Sequence, residues 1–280
     1  RANLSSLSPR ALHMIDIGVN LSSKRFKDDI GDVLERALEA GVEKLVLTGT
    51  SVDESQAVLK ICQEYAGQFP SMLYATCGIH PHDAKSFNHS SLSSLRELVA
   101  HPQMVAIGEA GLDFNRNIST QKDQEIAFEA QLELAAELNM PLFLHERDAS
   151  QRQLEIMHAY RDHFSDAVIH CFTGDKKTLF SYLDMDLHIG ITGWICDERR
   201  GLELQRLAKN IPLARLMIET DAPYLMPRNI KPKPKHNRNE PAFLPHVLTG
   251  IAEVRPETAQ EISAATSANA ARFFRLPNVD

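Results

Sequence analysis

The sequence predicts an α/β fold, a TIM-like (β/α)8 barrel in a single domain. Short apolar runs alternate with helical patterns along the chain, which is typical of a parallel sheet. Eight runs can be counted, and eight parallel strands close a barrel. The length of 280 residues suits one such domain. An open, doubly wound sheet is the weaker alternative, because no run is followed by a Gly-x-Gly-x-x-Gly turn.

Each predicted strand is a short apolar run, and several are apolar throughout, as in strands that are buried on both faces. The strands are expected over residues 14–20, 44–48, 73–79, 104–108, 142–145, 167–170, 187–191 and 216–219. A helical pattern follows each strand. Two further helices are expected to close the chain, over about residues 241–254 and 256–274.

Capping residues mark several helix boundaries. Apolar residues recur at helical spacing from Ile30, and Gly41 suits the end of this first helix. Ser51, three residues before Glu54, predicts the start of the second helix, and Thr120 predicts the start of a long one. Other helices are expected over about residues 92–100, 150–160, 176–183 and 202–211.

Composition restricts the classes of function. The hydrophobic content of 43% and the charged content of 24% are ordinary for a globular protein. The net charge of −7 gives no global basic surface for nucleic acid, so a polyanionic substrate would need local basic groups or a metal ion. The four cysteines show no Cys-x-x-Cys pair, which favours free thiols in a reducing compartment. A cytoplasmic location is therefore expected.

The N-terminal segment carries no targeting signal that can be recognised. Residues 1–13 lack the long apolar stretch of a signal peptide, and Met14 directly precedes a strand. We expect residues 1–13 to be an expression remnant or a disordered leader, and residues 14–280 to form the barrel. No apolar run approaches the ~20 residues of a membrane span, so no membrane partner is expected.

Ionisable residues stand where the apolar runs end. The carboxyl ends of parallel barrel strands open onto one face, where ligands bind. Two imidazoles and two carboxylates at strand ends make a set suited to a divalent metal ion: Glu109, His145, His170 and Asp221. The alternative is a purely structural polar cluster.

Basic residues near these strand ends could bind phosphate. Arg147 leans to the same side of its strand as His145; the alternative is a salt bridge to Glu146 or Asp148. Residues 224–240 contain one acid, Glu240, and five basic residues: Arg228, Lys231, Lys233, Lys235 and Arg238. This stretch is predicted to form either a basic lip that attracts phosphates or a solvated loop.

Several motifs together resemble the TatD family of metal-dependent deoxyribonucleases, within the amidohydrolase-like hydrolases. The resemblance runs from Met14 to about residue 276. The motifs are Gly78-Ile-His80-Pro-His82, Gly108-Glu109-Ala-Gly-Leu-Asp113, Pro141-Leu-Phe-Leu-His145-Glu-Arg147-Asp-Ala149, His170-Cys-Phe-Thr-Gly174, Glu219-Thr-Asp221-Ala-Pro223 and Arg238-Asn-Glu240-Pro241.

The resemblance implies a TIM-like barrel and a divalent-metal phosphodiesterase that acts on DNA, 3′→5′ on single strands. It implies that Glu109, His145 and His170 are metal ligands and that Asp221 is a ligand or a base. Many members of the family begin with an Asp-x-His-x-His strand, but here the strand reads Asp16-Ile-Gly18-Val-Asn20. This resembles the branch around TatD itself, and we expect one tightly bound ion.

The predicted reaction is hydrolysis of a phosphodiester. Asp221 would accept a proton from water, and His80 and Arg147 would assist catalysis. Substrate contacts are expected from His82, Arg228, Arg238 and Glu240. The expected cofactor is Mg²⁺, with Mn²⁺ or Zn²⁺ as alternatives, and the expected partner is single-stranded DNA, with RNA as a second substrate, bound by a monomer. Hydrolysis of a small amide or ester is the alternative activity, and a binding module without turnover is the alternative to an enzyme.

Overall fold

Eight parallel strands form the centre of the molecule. The computed structural model describes residues 12–277, so residues 1–11 of the predicted leader and the last three residues of the chain lie outside the described residues. The strands are β1 (Met14–Val19), β2 (Val42–Leu47), β3 (Leu73–Cys77), β4 (Met104–Asp113), β5 (Leu142–Arg147), β6 (Ala167–Ile169), β7 (His188–Ile191) and β8 (Leu216–Ile218).

The strands pair in sequence order, and the first and last approach each other. Each strand from β1 to β8 is hydrogen-bonded in parallel to the next. A parallel bridge joins Val19 to Ala222, and the Asp221 N–H donates to the Gly18 oxygen at 2.9 Å. The Asn20 N–H donates to Ala222 in the same way, at 2.8 Å. The predicted barrel is therefore confirmed, and the alternative of an open sheet is wrong.

Helices surround the barrel at nearly all the predicted places. They are α1 (Ile30–Glu39), α2 (Val52–Tyr65), α3 (His89–Val99), α4 (Gln121–Leu138), α5 (Ser150–Tyr160), α6 (Lys176–Asp184), α7 (Leu202–Leu207), α8 (Leu244–Ala252) and α9 (Ala259–Phe273). The predicted N-caps of α2 and α4 are present: Ser51 Oγ accepts from the Glu54 N–H at 3.0 Å, and Thr120 Oγ1 accepts from the Asp123 N–H at 3.1 Å. No described helix is both long enough and apolar enough to cross a bilayer.

Strand β4 extends five residues beyond the predicted end at Gly108. A register shift opposite β5 makes Glu109 an extra residue, which is the arrangement of a β-bulge. Gly108 and Gly111 have φ near +142° and +143°, and a Cβ on either would lie within about 2 Å of a backbone oxygen of β5. Only glycine fits this close approach, so these two residues allow β4 to continue beside β5 to Asp113.

Two buried glutamines of α4 complete the hydrogen bonding of strand ends. Gln131 forms hydrogen bonds with both backbone groups of Ile79: its Oε1 accepts from the Ile79 N–H at 2.8 Å, and its Nε2 donates to the Ile79 oxygen at 3.1 Å. Gln124 does the same for Asp113: its Oε1 accepts from the Asp113 N–H at 2.8 Å, and its Nε2 donates to the Asp113 backbone oxygen at 3.0 Å. Both side chains are fully buried. They satisfy backbone groups where the ladder ends and so fix the residues beside them, among them His80.

A third buried glutamine joins β4 to β5. Gln153 of α5 accepts from the Leu112 N–H through Oε1 at 2.9 Å and donates to the His145 oxygen through Nε2 at 3.0 Å. The side chain has no exposed surface. It therefore holds the backbone of His145 in place from the helix layer.

Replacing this side chain by an apolar one of similar size should destabilise the barrel. Gln153→Leu leaves the Leu112 N–H and the His145 oxygen without their partner, and each orphaned buried group costs roughly 1–3 kcal/mol. We expect the free energy of unfolding to fall by about 2–5 kcal/mol in urea titrations. Gln151→Leu, at an exposed position of the same helix, should change it by less than about 0.5 kcal/mol. Equal effects of the two substitutions would contradict a bracing role for Gln153.

Candidate metal centre

A cleft at the carboxyl ends of the strands brings the predicted metal ligands together. Its volume is about 1060 Å³, and its walls include Glu109, His145, His170 and Asp221 together with His80. Glu109 lies within β4 and His145 within β5, whereas the other three residues follow the ends of β3, β6 and β8. The barrel thus converges side chains that are far apart in the sequence.

Glu109 stands at the centre of three imidazoles. Its Oε1 lies 2.6 Å from His170 Nε2, 3.2 Å from His145 Nδ1 and 3.6 Å from His80 Nε2. The residue is only 6% exposed. Burial alone would raise the pKa of Glu109, but the neighbouring His170 and His80 hold it well below its usual range. A negative charge is therefore maintained inside the barrel.

His170 lies between two carboxylates. Its Nδ1 is 2.9 Å from Glu219 Oε1, on the side of the ring opposite Glu109. Burial would lower the pKa of His170, yet Glu109 and Glu219 raise it well above its usual value. Burial, with the like charges of Glu109 and Glu219, raises the pKa of the Asp221 carboxyl to about 7.

Two groups of three donors have the chemistry and the spacing of metal sites. One is His80, Glu109 and His145, and the other is His170, Glu219 and Asp221. Within each group the candidate donor atoms all lie within 4.8 Å of one another. Mixed imidazole and carboxylate donors suit Mn²⁺ and Zn²⁺, and the carboxylates suit Mg²⁺. The side chains therefore fit a divalent ion, and the expectation of one tightly bound ion stays a prediction.

The first strand supplies no imidazole, and another residue fills the space. A Cβ on Gly18 would lie 2.9 Å from Glu219 Oε1. Asp16 lies two residues earlier on the same strand. Its carboxylate accepts hydrogen bonds from the Thr220 N–H at 3.0 Å and from the Thr220 hydroxyl at 2.6 Å. Glycine at position 18 thus leaves room for the Glu219 carboxylate beside His170.

Two carboxylates of the centre, Asp113 and Glu219, were not assigned to it from the sequence. Asp113 Oδ2 lies 2.9 Å from His145 Nε2, so it orients the ring that faces Glu109 through Nδ1. Burial would raise the pKa of Asp113, but the contact with His145 lowers it to about 2. Both residues belong to the recognised motifs, but β4 was predicted to end before Asp113. The sequence indicated no role for Glu219 at the predicted end of β8.

The predicted catalytic and binding residues His80, His82 and Arg147 all line the cleft. His80 Nδ1 accepts from the His82 N–H at 3.0 Å, and burial lowers the pKa of His80 to about 3. The buried His82 Nε2 lies 3.4 Å from Asp113 Oδ2 and forms no hydrogen bond in the described part of the chain. It is therefore a free polar atom at the wall of the cleft.

Arg147 is exposed at the end of β5 and does not form the salt bridge considered as its alternative. Glu146 accepts instead from the Tyr182 hydroxyl at 2.7 Å, and Asp148 accepts from Asn115 Nδ2 at 2.8 Å. Among residues 12–277, no ion pair of Arg147 is found. The guanidinium is thus available at the cleft.

Arg228, Arg238 and Glu240 lie outside the walls of the cleft and have ion-pair partners. Arg228 pairs with Glu198, Arg238 binds both oxygens of Asp29 at 2.9 and 2.8 Å, and Glu240 accepts from Arg36 Nε at 2.8 Å. These contacts give the three residues a structural role. Their predicted contact with substrate stays a prediction.

Asn239, between two of these paired residues, holds the segment that follows β8. Its buried amide Nδ2 donates to the Thr220 oxygen at 3.1 Å and to the Tyr224 oxygen at 2.7 Å, and its N–H donates to Pro223 at 3.0 Å. The segment contains Asp221. The ion pairs of Arg238 and Glu240 therefore fix a residue that positions one of the candidate ligands.

The walls of the cleft are strongly acidic. Apart from the histidines, their basic side chains, within the described residues, are Arg116 and Arg147. The acidic side chains are Glu54, Asp83, Glu109, Asp113, Glu146, Asp148, Asp175 and Asp221. Such a surface attracts cations and repels phosphates, so a phosphate would enter it most favourably together with a divalent cation.

Sequence comparison gives the family and a set of similar proteins. The family described as TatD related DNase matches residues 15–275. The chain is 49% identical to the Escherichia coli protein named 3'-5' ssDNA/RNA exonuclease TatD, over 94% of this chain and 99% of that protein. It is 50% identical to the protein of the same name from Klebsiella pneumoniae, over 94% of this chain and 98% of that protein.

Solved structures show the same architecture. YJJV, a TatD homologue from Escherichia coli, superposes with a TM-score of 0.84 at 27% identity, over 95% of this chain and all of that one. A TatD family hydrolase from Entamoeba histolytica gives 0.86 at 24% identity, over 94% and 98% of the two chains, which shows the fold alone. The resemblance predicted from the motifs is confirmed, and the chain belongs to the TatD related DNase family.

Proposed function

We propose that the protein is a divalent-metal-dependent exonuclease that removes nucleotides from the 3′ ends of single-stranded DNA and RNA. The observation that carries the proposal is the buried Glu109 carboxylate, with one oxygen facing three imidazole nitrogens at the strand ends. The relatives that share about half of their residues with this chain have names that state this activity. The acidic cleft supports a reaction in which a cation accompanies the phosphate.

Glu109, His145 and His170 would hold the ion, with Asp221 as a further ligand or as the base. We propose Mg²⁺ as the physiological ion, with Mn²⁺ and Zn²⁺ as the alternatives that the imidazoles suit. When bound, a divalent ion supplies Lewis-acid polarisation of a phosphoryl oxygen and a lower pKa for a water molecule. Glu219 completes the donor group of His170 and Asp221.

The side chains of the cleft would handle the proton and the phosphate charge. With its pKa raised to about 7, the Asp221 carboxyl exchanges a proton near neutral pH, which suits a general base. His80 is neutral and accepts through Nδ1, so its proton is on Nε2, which can donate to a phosphoryl oxygen. Arg147 offers a free guanidinium to the same phosphate.

Cellular setting and domain limits form a further part of the proposal. We propose that residues 14–280 act as one hydrolase domain, as a monomer in the cytoplasm. The four cysteines are free in the structure, and burial raises the pKa of each thiol to about 12, which suits a reducing compartment.

An end-labelling assay tests the proposal directly. Single-stranded DNA, duplex DNA and RNA carrying a 5′ label would be incubated with Mg²⁺, Mn²⁺, Zn²⁺ or a chelator. We expect the single strands to shorten progressively from the 3′ end in the presence of metal and to stay intact in chelator. Hydrolysis that continues in chelator, or no hydrolysis with any of the three ions, would overturn the proposal.

Removal of a central donor should abolish hydrolysis and leave the fold intact. We expect Glu109→Ala and His145→Ala each to lower kcat/KM at limiting metal by about 100-fold or more, because a preorganised electrostatic contact is lost. Metal titration by calorimetry should show weaker binding in both variants. Glu39→Ala and His158→Ala, at exposed positions outside the cleft, serve as matched controls. Normal activity of either cleft variant would exclude this metal site.

Neutralising the exposed lysines of the 224–240 segment should weaken nucleic-acid binding in a salt-dependent way. Lys231, Lys233 and Lys235 are exposed and form no ion pair within the described residues, whereas Arg228 and Arg238 are ion-paired. For the triple Lys→Gln variant, the slope of log K against log salt should fall by about 0.7 per lost phosphate contact on single strands. Anisotropy with Ca²⁺ in place of the catalytic ion measures it.

A charge-matched variant separates this local effect from net charge. Lys60→Gln, Arg206→Gln and Lys209→Gln change three exposed cations that do not line the cleft. The slope should stay near that of the unmodified protein. If both triple variants behave alike, the 224–240 segment is a solvated loop without a phosphate contact.

A further inference from the structure

Tyr224 is an exposed aromatic side chain in the wall of the cleft. The large apolar side chains that are exposed in the described part of the chain are Leu38, Ile118, Ile126, Phe180, Leu202 and Tyr224. Of these, only Tyr224 lines the cleft, and at 54% it is the most exposed. Single exposed apolar residues are normal on a protein surface, so its position beside the metal ligands is the informative feature.

The backbone that carries Tyr224 is firmly held. Its N–H donates to the oxygen of Asp221 at 3.0 Å, and its own oxygen accepts from the buried Asn239 amide at 2.7 Å. Leu225, the next residue, has φ of +57°, a region that a bulky side chain rarely adopts. The ring is thus presented to the cleft from a fixed backbone, three residues from a candidate ligand.

Trp194 is a second aromatic side chain in the wall of the cleft, on the neighbouring segment. Its side chain is half-buried and lines the cleft. Trp194 lies in a turn that is capped by Thr192, whose Oγ1 accepts from the Trp194 N–H at 3.2 Å. The turn packs against the Tyr224 segment, since a Cβ on Gly193 would lie 2.4 Å from the Leu225 oxygen. The Arg200 guanidinium lies over the Trp194 ring, 4.3 Å from its centroid.

We propose that Tyr224, supported by Trp194, is a stacking platform for the nucleobase of a nucleotide that flanks the scissile phosphate. The inference rests on the proposed function and adds to it the group that recognises the base. Every base has a π-face, so stacking tolerates any sequence, as stepwise removal of successive nucleotides requires. A paired base is already stacked in its duplex, so the platform also selects single strands.

Abasic substrates test the platform without depending on the role of Tyr224 in folding. Single strands with an intact 3′ end are compared with strands that lack the base of the terminal or of the penultimate nucleotide. With the unmodified protein, loss of the contacted base should lower kcat/KM by about 5- to 150-fold, the range of one stacked base. Tyr224→Ala should cause a similar loss on intact strands but change the rate on that abasic strand less than about twofold.

Two control variants define the chemistry of the contact. Tyr224→Phe keeps the ring and should stay within about twofold of the unmodified protein on every substrate. Phe180→Ala removes an exposed aromatic side chain outside the cleft and should change nothing. A Tyr224→Ala variant that slows intact and abasic strands equally, or a Tyr224→Phe variant as slow as Tyr224→Ala, would overturn the stacking platform.

A binding measurement separates this inference from the proposed hydrolysis. Anisotropy of labelled intact and abasic strands in Ca²⁺ gives the same comparison without turnover. If the protein binds intact strands more tightly than abasic ones, and Tyr224→Ala removes the difference, the platform stands even where the end-labelling assay shows no hydrolysis. Equal binding of both strands by the unmodified protein excludes the platform, whatever the outcome of the assay.

Discussion

The site depends on keeping the Glu109 carboxylate charged inside the barrel. A buried carboxylate that lacks partners is costly, and here one oxygen faces three imidazole nitrogens within 3.6 Å. His170 is in turn held between Glu109 and Glu219, so the two donor groups share one chain of opposite charges. The bulge that places Glu109 in β4 requires glycine at position 108, where a Cβ would overlap the backbone of β5. Backbone geometry and electrostatics are therefore coupled at this residue.

Polar side chains of the outer layer fix the backbone beneath the site. Gln124, Gln131 and Gln153 reach from the helices to strand ends where no neighbouring strand supplies a partner, and Asn239 does the same for the turn after β8. These amides are buried and make two or more hydrogen bonds each, so their burial costs little and their geometry is well defined. The backbone that carries the donor atoms of the cleft is therefore held from the outer layer as well as by contacts among the donors themselves.

The sequence predicted the barrel and its polar face because both have local signals: apolar runs that end in ionisable residues. It missed the extension of β4, since two glycines and two acidic residues interrupt the apolar pattern from Gly108 to Asp113. It missed the roles of Asp113, Glu219 and Gln153, because each role is set by a partner distant in sequence. The charge of Arg238 was visible in the sequence, but its pairing with Asp29 was not, because the two residues are far apart in the chain.

The basic residues that could attract a nucleic acid and the acidic cleft that would bind its scissile phosphate are in different places. Exposed lysines of the 224–240 segment lie outside the cleft, and their charges would attract a phosphate over about a Debye length. The walls of the cleft are acidic and would repel a phosphate at short range. A divalent ion held by the donor groups would reverse that short-range repulsion locally. Ion and phosphate should therefore bind with positive coupling, each raising the affinity for the other by the same factor. In the absence of the ion, a nucleic acid would be held at the rim of the cleft. Only when the ion and the phosphate bind together would they occupy the part of the cleft lined by Glu109 and Arg147.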